Sequence, residues 1–193
     1  MPTLRSLFLT LMAVACAALA VAQEQAGSFR ASAVKVDITP LGSKWLAGYP
    51  ARQSTGIHDR LFHRIAALDD GHTQFFLISS DLCLFAPSVY DEVTARLQRE
   101  TGIAPLQVWW TVTHTHAAPE VGPHGLPKLM MPERYKHEPD LEYTAQVEKL
   151  LIDGIKEARA KLAPARMAVG TGYSAACLRC GSSAPESWIS ATW

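Results

Sequence analysis

Two short apolar runs, residues 74–79 (QFFLIS) and 106–113 (LQVWWTVT), flank a segment over 87–100 in which Val89, Val93 and Leu97 recur every four residues. The runs are rich in aromatic and β-branched residues and have the length of buried strands. The segment between them opens on Pro87, stops at Gly102 and reads as an amphipathic helix. A strand–helix–strand order returns the second strand parallel to the first through a right-handed connection. The chain is thereby placed in the α/β class, as a layered mixed sheet with helices. Ahead of this unit, Val34, Val36 and Ile38 alternate with polar residues and run into a turn at Asp37-Ile38-Thr39-Pro40. Residues 61–68 form another strand, joined to 74–79 by the hairpin signal Asp70-Gly71. After it, 141–162 is the longest helix, with Val147, Leu150, Leu151, Ile155 and Ala158 on one face, and 166–170 (RMAVG) is a final strand.

In sheets of this kind, sites collect beyond the carboxyl ends of the strands. Asp81 follows one such end, and His114-Thr115-His116 follows another. Histidines at i and i+2 of an extended backbone face the same side, with Cα atoms about 6–7 Å apart, so two imidazoles can converge on one metal ion. Neutral imidazole suits zinc, and a catalytic zinc takes three or more protein ligands with one position open. A pair of strand-end histidines hydrogen-bonded within a polar loop fits the spacing equally well. His116 is followed by Ala117, Ala118 and Pro119, which rules out the His-x-His-x-Asp-His pattern of metallo-β-lactamases. An amidohydrolase barrel needs about 250 residues of alternating strand and helix, more than this chain has.

Other polar residues are read with their alternatives. His58, in Gly56-Ile57-His58-Asp59-Arg60, either lines a pocket, supports a ligand from outside, or bonds to loop backbone. Asp81 either orients a metal-bound histidine or forms a turn. Glu120 and His124 are close in sequence to the histidine pair. Their loop, however, holds Pro119, Gly122, Pro123 and Gly125, so they read as loop polar residues. His63, His72 and His137 read as surface histidines, and Trp109 and Trp110 as core residues on opposite faces of their strand.

The composition adds bounds. The chain has 193 residues, zero net charge, 48% hydrophobic and 19% charged residues, enough for one domain around one core. No excess charge points to nucleic acid or to an anionic membrane surface. Residues 1–22 differ: Arg5 precedes an apolar stretch over 6–22 that ends in Ala20-Val21-Ala22. This reads as a secretory signal peptide cut near Gln23, too short for a membrane span, and implies a secreted or periplasmic protein with no transmembrane segment after cleavage. Ala13-Val14-Ala15-Cys16 only weakly resembles a lipoprotein box. Cleavage leaves Cys83, Cys177 and Cys180, an odd number whose pairing stays open. Cys177-Leu178-Arg179-Cys180 reads as incidental.

The segments VKVDITP, GYP, GIHDRLFHRIAALDDG, LISSDLCLF, TVTHTHAAP and LLIDGIKEARAKLAPARMAVGTG follow one another between Val34 and Gly172. In that order and spacing the chain resembles the N-terminal region of the neutral/alkaline non-lysosomal ceramidase family. The resemblance covers residues 29–173. It implies a zinc-dependent amidase that cleaves the N-acyl bond of ceramide, with His114 and His116 as zinc ligands and a lipid as substrate. The family's other ligands (a His, a Glu and a Tyr) and its catalytic Ser lie further downstream, so no catalytic residue is assigned here. Where the family has Ser-Gly-Pro this chain has Ala117-Ala118-Pro119, so the substrate is ceramide or a related amide. Residues 174–193 resemble nothing in the family and read as an irregular, truncated or frame-shifted tail. The chain is then an incomplete part of a larger catalytic domain, expected to hydrolyse little alone. The alternative is a non-catalytic exported fragment that binds metal or lipid without turnover.

Overall fold

The computed structural model describes residues 29–48 and 50–172. The expected signal peptide, Cys16, the tail at 174–193 and Cys177 and Cys180 lie outside these residues. The elements are β1 (Arg30–Asp37), β2 (Phe62–Asp69), β3 (Gln74–Ser80), α1 (Pro87–Thr101), a 3₁₀ turn (Pro105–Gln107), β4 (Val108–Val112), α2 (Gly125–Met130), α3 (Leu141–Ala160) and β5 (Ala163–Pro164). They build a mixed sheet in the order β4-β3-β2-β1-β5. The antiparallel β2–β3 hairpin turns at Asp70, whose Oδ1 accepts from the amides of His72 and Thr73, and at Gly71, whose φ of 89° favours glycine. β3 and β4 pair in parallel across α1, as the strand–helix–strand order demands.

Local chemistry explains the helix limits. Pro87 opens α1, where a missing N–H costs nothing, and Gly102 closes it in the left-handed region while donating to the Gln98 carbonyl at 3.0 Å. Asp140 caps α3 by accepting from the Tyr143 amide at 2.8 Å. The apolar faces of both helices merge with one sheet face into a single core, with Val93, Leu97, Leu151 and Ile155 against Ile65, Phe76 and Ile78. Each fully buried aliphatic side chain of this kind contributes roughly 1.5–3 kcal/mol through removal from water.

Three expectations are corrected. Trp110 is buried but Trp109 is 61% exposed and Leu77 44%, because both helices pack on one face and none of the described residues covers the other. Residues 166–170 form no strand. The chain meets the sheet earlier, where α3 delivers Ala163 and Pro164 to the outer edge of β1 and the Ala165 amide donates to the Phe29 carbonyl at 3.0 Å. Pro164 lacks an N–H and so belongs at such an edge. His63 is fully buried rather than on the surface. It shares the inward face of β2 with Ile65 and Ala67, and its Nε2–H donates to the Val147 carbonyl at 3.1 Å. That bond fixes the tautomer, so Nδ1 accepts from the Ser80 hydroxyl at 2.6 Å, and Ser80 Oγ in turn accepts from Trp110 Nε1 at 2.7 Å. His72 is exposed, as expected. Among the described residues no helix is long and apolar enough to cross a membrane.

Candidate functional site

The parallel pairing of β3 and β4 continues past both strand ends. The amide of Thr113 donates to the Ser80 carbonyl at 2.9 Å and that of Thr115 to the Leu82 carbonyl at 3.2 Å. The segments 81–83 and 113–116 therefore lie side by side at the carboxyl edge of the sheet. His114 and His116 do converge there, with ring centroids 5.0 Å apart. They do not do so on extended backbone. β4 has already ended, and His114 adopts φ 58°, the left-handed region that a non-glycine residue enters only under constraint. The constraint is visible in its side chain: Nδ1 lies 3.0 Å from the Cys83 carbonyl oxygen. A carbonyl only accepts, so Nδ1 carries the proton and Nε2 keeps its lone pair, the arrangement found when a histidine serves a metal.

Cys83 is the residue that sequence reasoning missed. Its Sγ and one ring nitrogen from each of His114 and His116 lie within 4.8 Å of one another. The thiol is buried and forms no disulfide. Burial pushes its pKa up, which the Arg134 charge opposes. Asp81, the residue singled out at this edge, spends its carboxylate elsewhere, accepting from the Phe62 amide at 3.0 Å and from Arg64 Nη1 at 2.7 Å. The side chain that faces the histidines is Cys83, two residues further on.

His116 is held from the other side by the 45–48 segment. Gly48 donates its amide to the His116 carbonyl at 3.0 Å, and Ala47 donates to Ala118 at 2.8 Å. A Cβ on Gly48 would fall inside the van der Waals shells of His116 Cα and Cβ, so only glycine permits this approach. This accounts for the glycine of the Gly48-Tyr49-Pro50 segment.

A groove of about 840 Å³ runs past Thr115 and Ala117, the residues alternating with the two histidines. Leu46, Ile57, Leu61 and His58 help to line it. His58 is exposed at its rim, and the neighbouring Asp59 carboxylate, 2.9 Å away, raises its pKa.

A second constellation gathers Glu120, His124 and His137, whose donor atoms also fall within 4.8 Å of one another. The loop residues Glu120 and His124 are thus drawn together. His137 is no surface histidine, its ring stacking on Trp45 at 4.1 Å with its side chain 11% exposed.

The fold is shared with solved ceramidase structures. The chain matches a neutral ceramidase from Pseudomonas aeruginosa with a TM-score of 0.59 and 22% identity, over 72% of this chain and 22% of that one. It matches a ceramidase complexed with C2 with a TM-score of 0.58 and 21% identity, over the same shares. The chain thus spans about a fifth of the length of these structures, and at this identity they establish the fold alone. No family model matches the chain, and no curated protein matches it.

Proposed function

We propose that this chain carries the metal-binding strand end of a zinc-dependent hydrolase of the neutral ceramidase type, acting on the N-acyl amide bond of ceramide or a related lipid and releasing a fatty acid. The observation that carries this reading is the convergence of His114 and His116 on Cys83 at the carboxyl edge of a sheet whose fold is shared with ceramidases. The donor set fits zinc: two imidazoles, one of them already in the tautomer that leaves Nε2 available, and a sulfur whose proton a metal displaces. Zinc bound there supplies a Lewis acid for an amide carbonyl and a lowered pKa for a coordinated water.

The remaining work belongs to the chain. The Cys83 carbonyl holds the His114 ring, and the amides of Ala47 and Gly48 hold the backbone of the His116 turn. The groove beside Thr115 and Ala117 has the volume and partly apolar wall that a lipid-like ligand needs. The apolar leader over 6–22 supports export to the periplasm or the exterior.

The test is elemental analysis of the purified chain together with fatty-acid release from a short-chain N-acylsphingosine. Replacing His114 or His116 by alanine is expected to lower bound zinc and any hydrolysis together. Full zinc occupancy in His116→Ala, or hydrolysis that survives removal of metal, would overturn the reading.

A further inference from the structure

We infer that Glu120, His124 and His137 form a second, independent zinc site, a clamp that fastens the 119–137 loop to the 45–48 segment. Glu120 follows the bridge between Leu46 and Pro119, and its amide donates to the Trp45 carbonyl at 3.0 Å. His124 immediately precedes α2, and His137 lies between α2 and α3. All three side chains are almost wholly buried, at 11%, 4% and 11% exposure. Glu120 Oε2 lies 3.0 Å from His124 Nε2 and 2.9 Å from His137 Nε2. A tetrahedral zinc with bonds near 2.0 Å separates its ligands by about 3.3 Å, so accepting the ion requires Glu120 Oε2 to part from each nitrogen by only a few tenths of an ångström.

Two features distinguish this cluster from a set of mutual hydrogen bonds. First, the Nε2 atoms of two imidazoles crowd one buried carboxylate oxygen. Second, everything around the donors fixes their direction. Trp45 stacks on His137 at 10°, and Tyr135 packs against His124 with ring centroids 4.6 Å apart. Arg134 Nη2 stands 3.5 Å from Glu120 Oε1, the other carboxylate oxygen, while it also donates to the Leu46 and Ala47 carbonyls. That is how an outer shell orients a ligating carboxylate and leaves its inner oxygen to the metal.

Two imidazoles and one carboxylate select zinc over the all-oxygen preference of calcium or magnesium. A neighbouring cavity of about 10 Å³, lined by Trp45, Glu120 and His137 among others, has room for one water as the fourth ligand. So enclosed, the site is structural: it holds the loop that Arg134 and Glu120 tie to residues 45–47, next to the Gly48 that supports His116.

The inference does not depend on the ceramidase reading, and the test separates them. The full chain, stripped with a chelator, is titrated with cobalt(II) in a background carrying both His114→Ala and His116→Ala. One equivalent is expected to bind, with d–d absorption and without the thiolate charge-transfer band that Cys83 would contribute at the strand-end site. Adding Glu120→Gln, which preserves size and keeps one acceptor oxygen, is expected to weaken that binding by roughly 100-fold. His137→Ala should do the same, and zinc should raise the thermal midpoint of the background protein but not of the Glu120→Gln version. No cobalt bound in the background protein, or binding unchanged by Glu120→Gln, would overturn the clamp. Either result leaves the strand-end pair untouched.

Discussion

His63 and His124 are both buried histidines, and they differ in everything else. His63 stands on a strand, inside the core, with each ring nitrogen given one partner: a hydroxyl on one side and a carbonyl on the other. Its chain of bonds runs from Trp110 through Ser80 and His63 to Val147 and ties β4, β3, β2 and α3 together without any charge. His124 stands in a loop, shares a carboxylate with His137 and leaves one nitrogen without a partner. A fully satisfied polar network stiffens a core. A partly satisfied one, aimed inward from several loop positions, has the character of a receptacle. Burial alone therefore says little about a histidine's role. What the ring nitrogens face separates the two cases: a hydroxyl and a carbonyl for His63, and for His124 a carboxylate shared with a second imidazole.

The contrast can be attacked from the core side first. His63→Ala removes two hydrogen bonds, takes the acceptor away from the Ser80 hydroxyl proton and opens a cavity. The expected loss is about 3–5 kcal/mol in urea unfolding with an unchanged m-value, and no change in metal content. A loss below about 1 kcal/mol would show that the network is incidental.

Acid tests the same residue at somewhat smaller effect. Burial lowers the His63 pKa from 6.5 to about 4, against the opposing pull of the Val147 carbonyl and the Asp81 charge. The folded state therefore holds the ring neutral while the unfolded chain takes up a proton first. Stability from this group is complete above pH 6.5, declines as the pH falls, and is lost by about pH 4, for a total of about 3 kcal/mol. Stability measured from pH 7 to pH 4 should fall by about that much more in the wild type than in His63→Ala. Identical acid profiles would sink the assignment.

The smallest effect is expected at the junction between the two regions. Thr144 Oγ1 accepts from the Gly122 amide at 2.9 Å and donates to the Asp140 carbonyl at 2.8 Å, so α3 holds the loop between Glu120 and His124. Thr144→Val keeps the shape but leaves that amide unpaired, at a cost of about 1–2 kcal/mol. It should weaken cobalt binding at the loop cluster and leave the strand-end pair alone. Equal weakening at both would mean that the two are one mechanical unit.

These differences also show how far the sequence could be read. Val89, Val93 and Leu97 all fall in the core, and the parallel β3–β4 pairing follows from the helix between them, because hydrophobic period and connection length act locally. The same period held a signal that went unused: Ile65 and Ala67 face inward, and counting back by two places His63 beside them. Cys83 was beyond such counting. Past a strand end the alternation lapses, so Asp81 and Cys83 cannot be ranked until the backbone of 113–116 is laid next to them. His137 lies further out of reach, since a loop of prolines and glycines brings it to Glu120 across 17 residues with no periodicity to follow.

The parallel pairing that creates the strand-end site also sets when that site can exist. His114 and Cys83 meet across 31 residues, and their alignment requires α1 to have folded back and β4 to have docked. Closing so long a stretch costs entropy before any contact returns it, which is why non-local strand pairing forms late and slowly. The two histidines and the cysteine are therefore scattered in the nascent chain and become a chelate only as the sheet closes. A metal captured there acts on the unfolding rate: it leaves the climb to the transition state unaided and deepens the native well behind it.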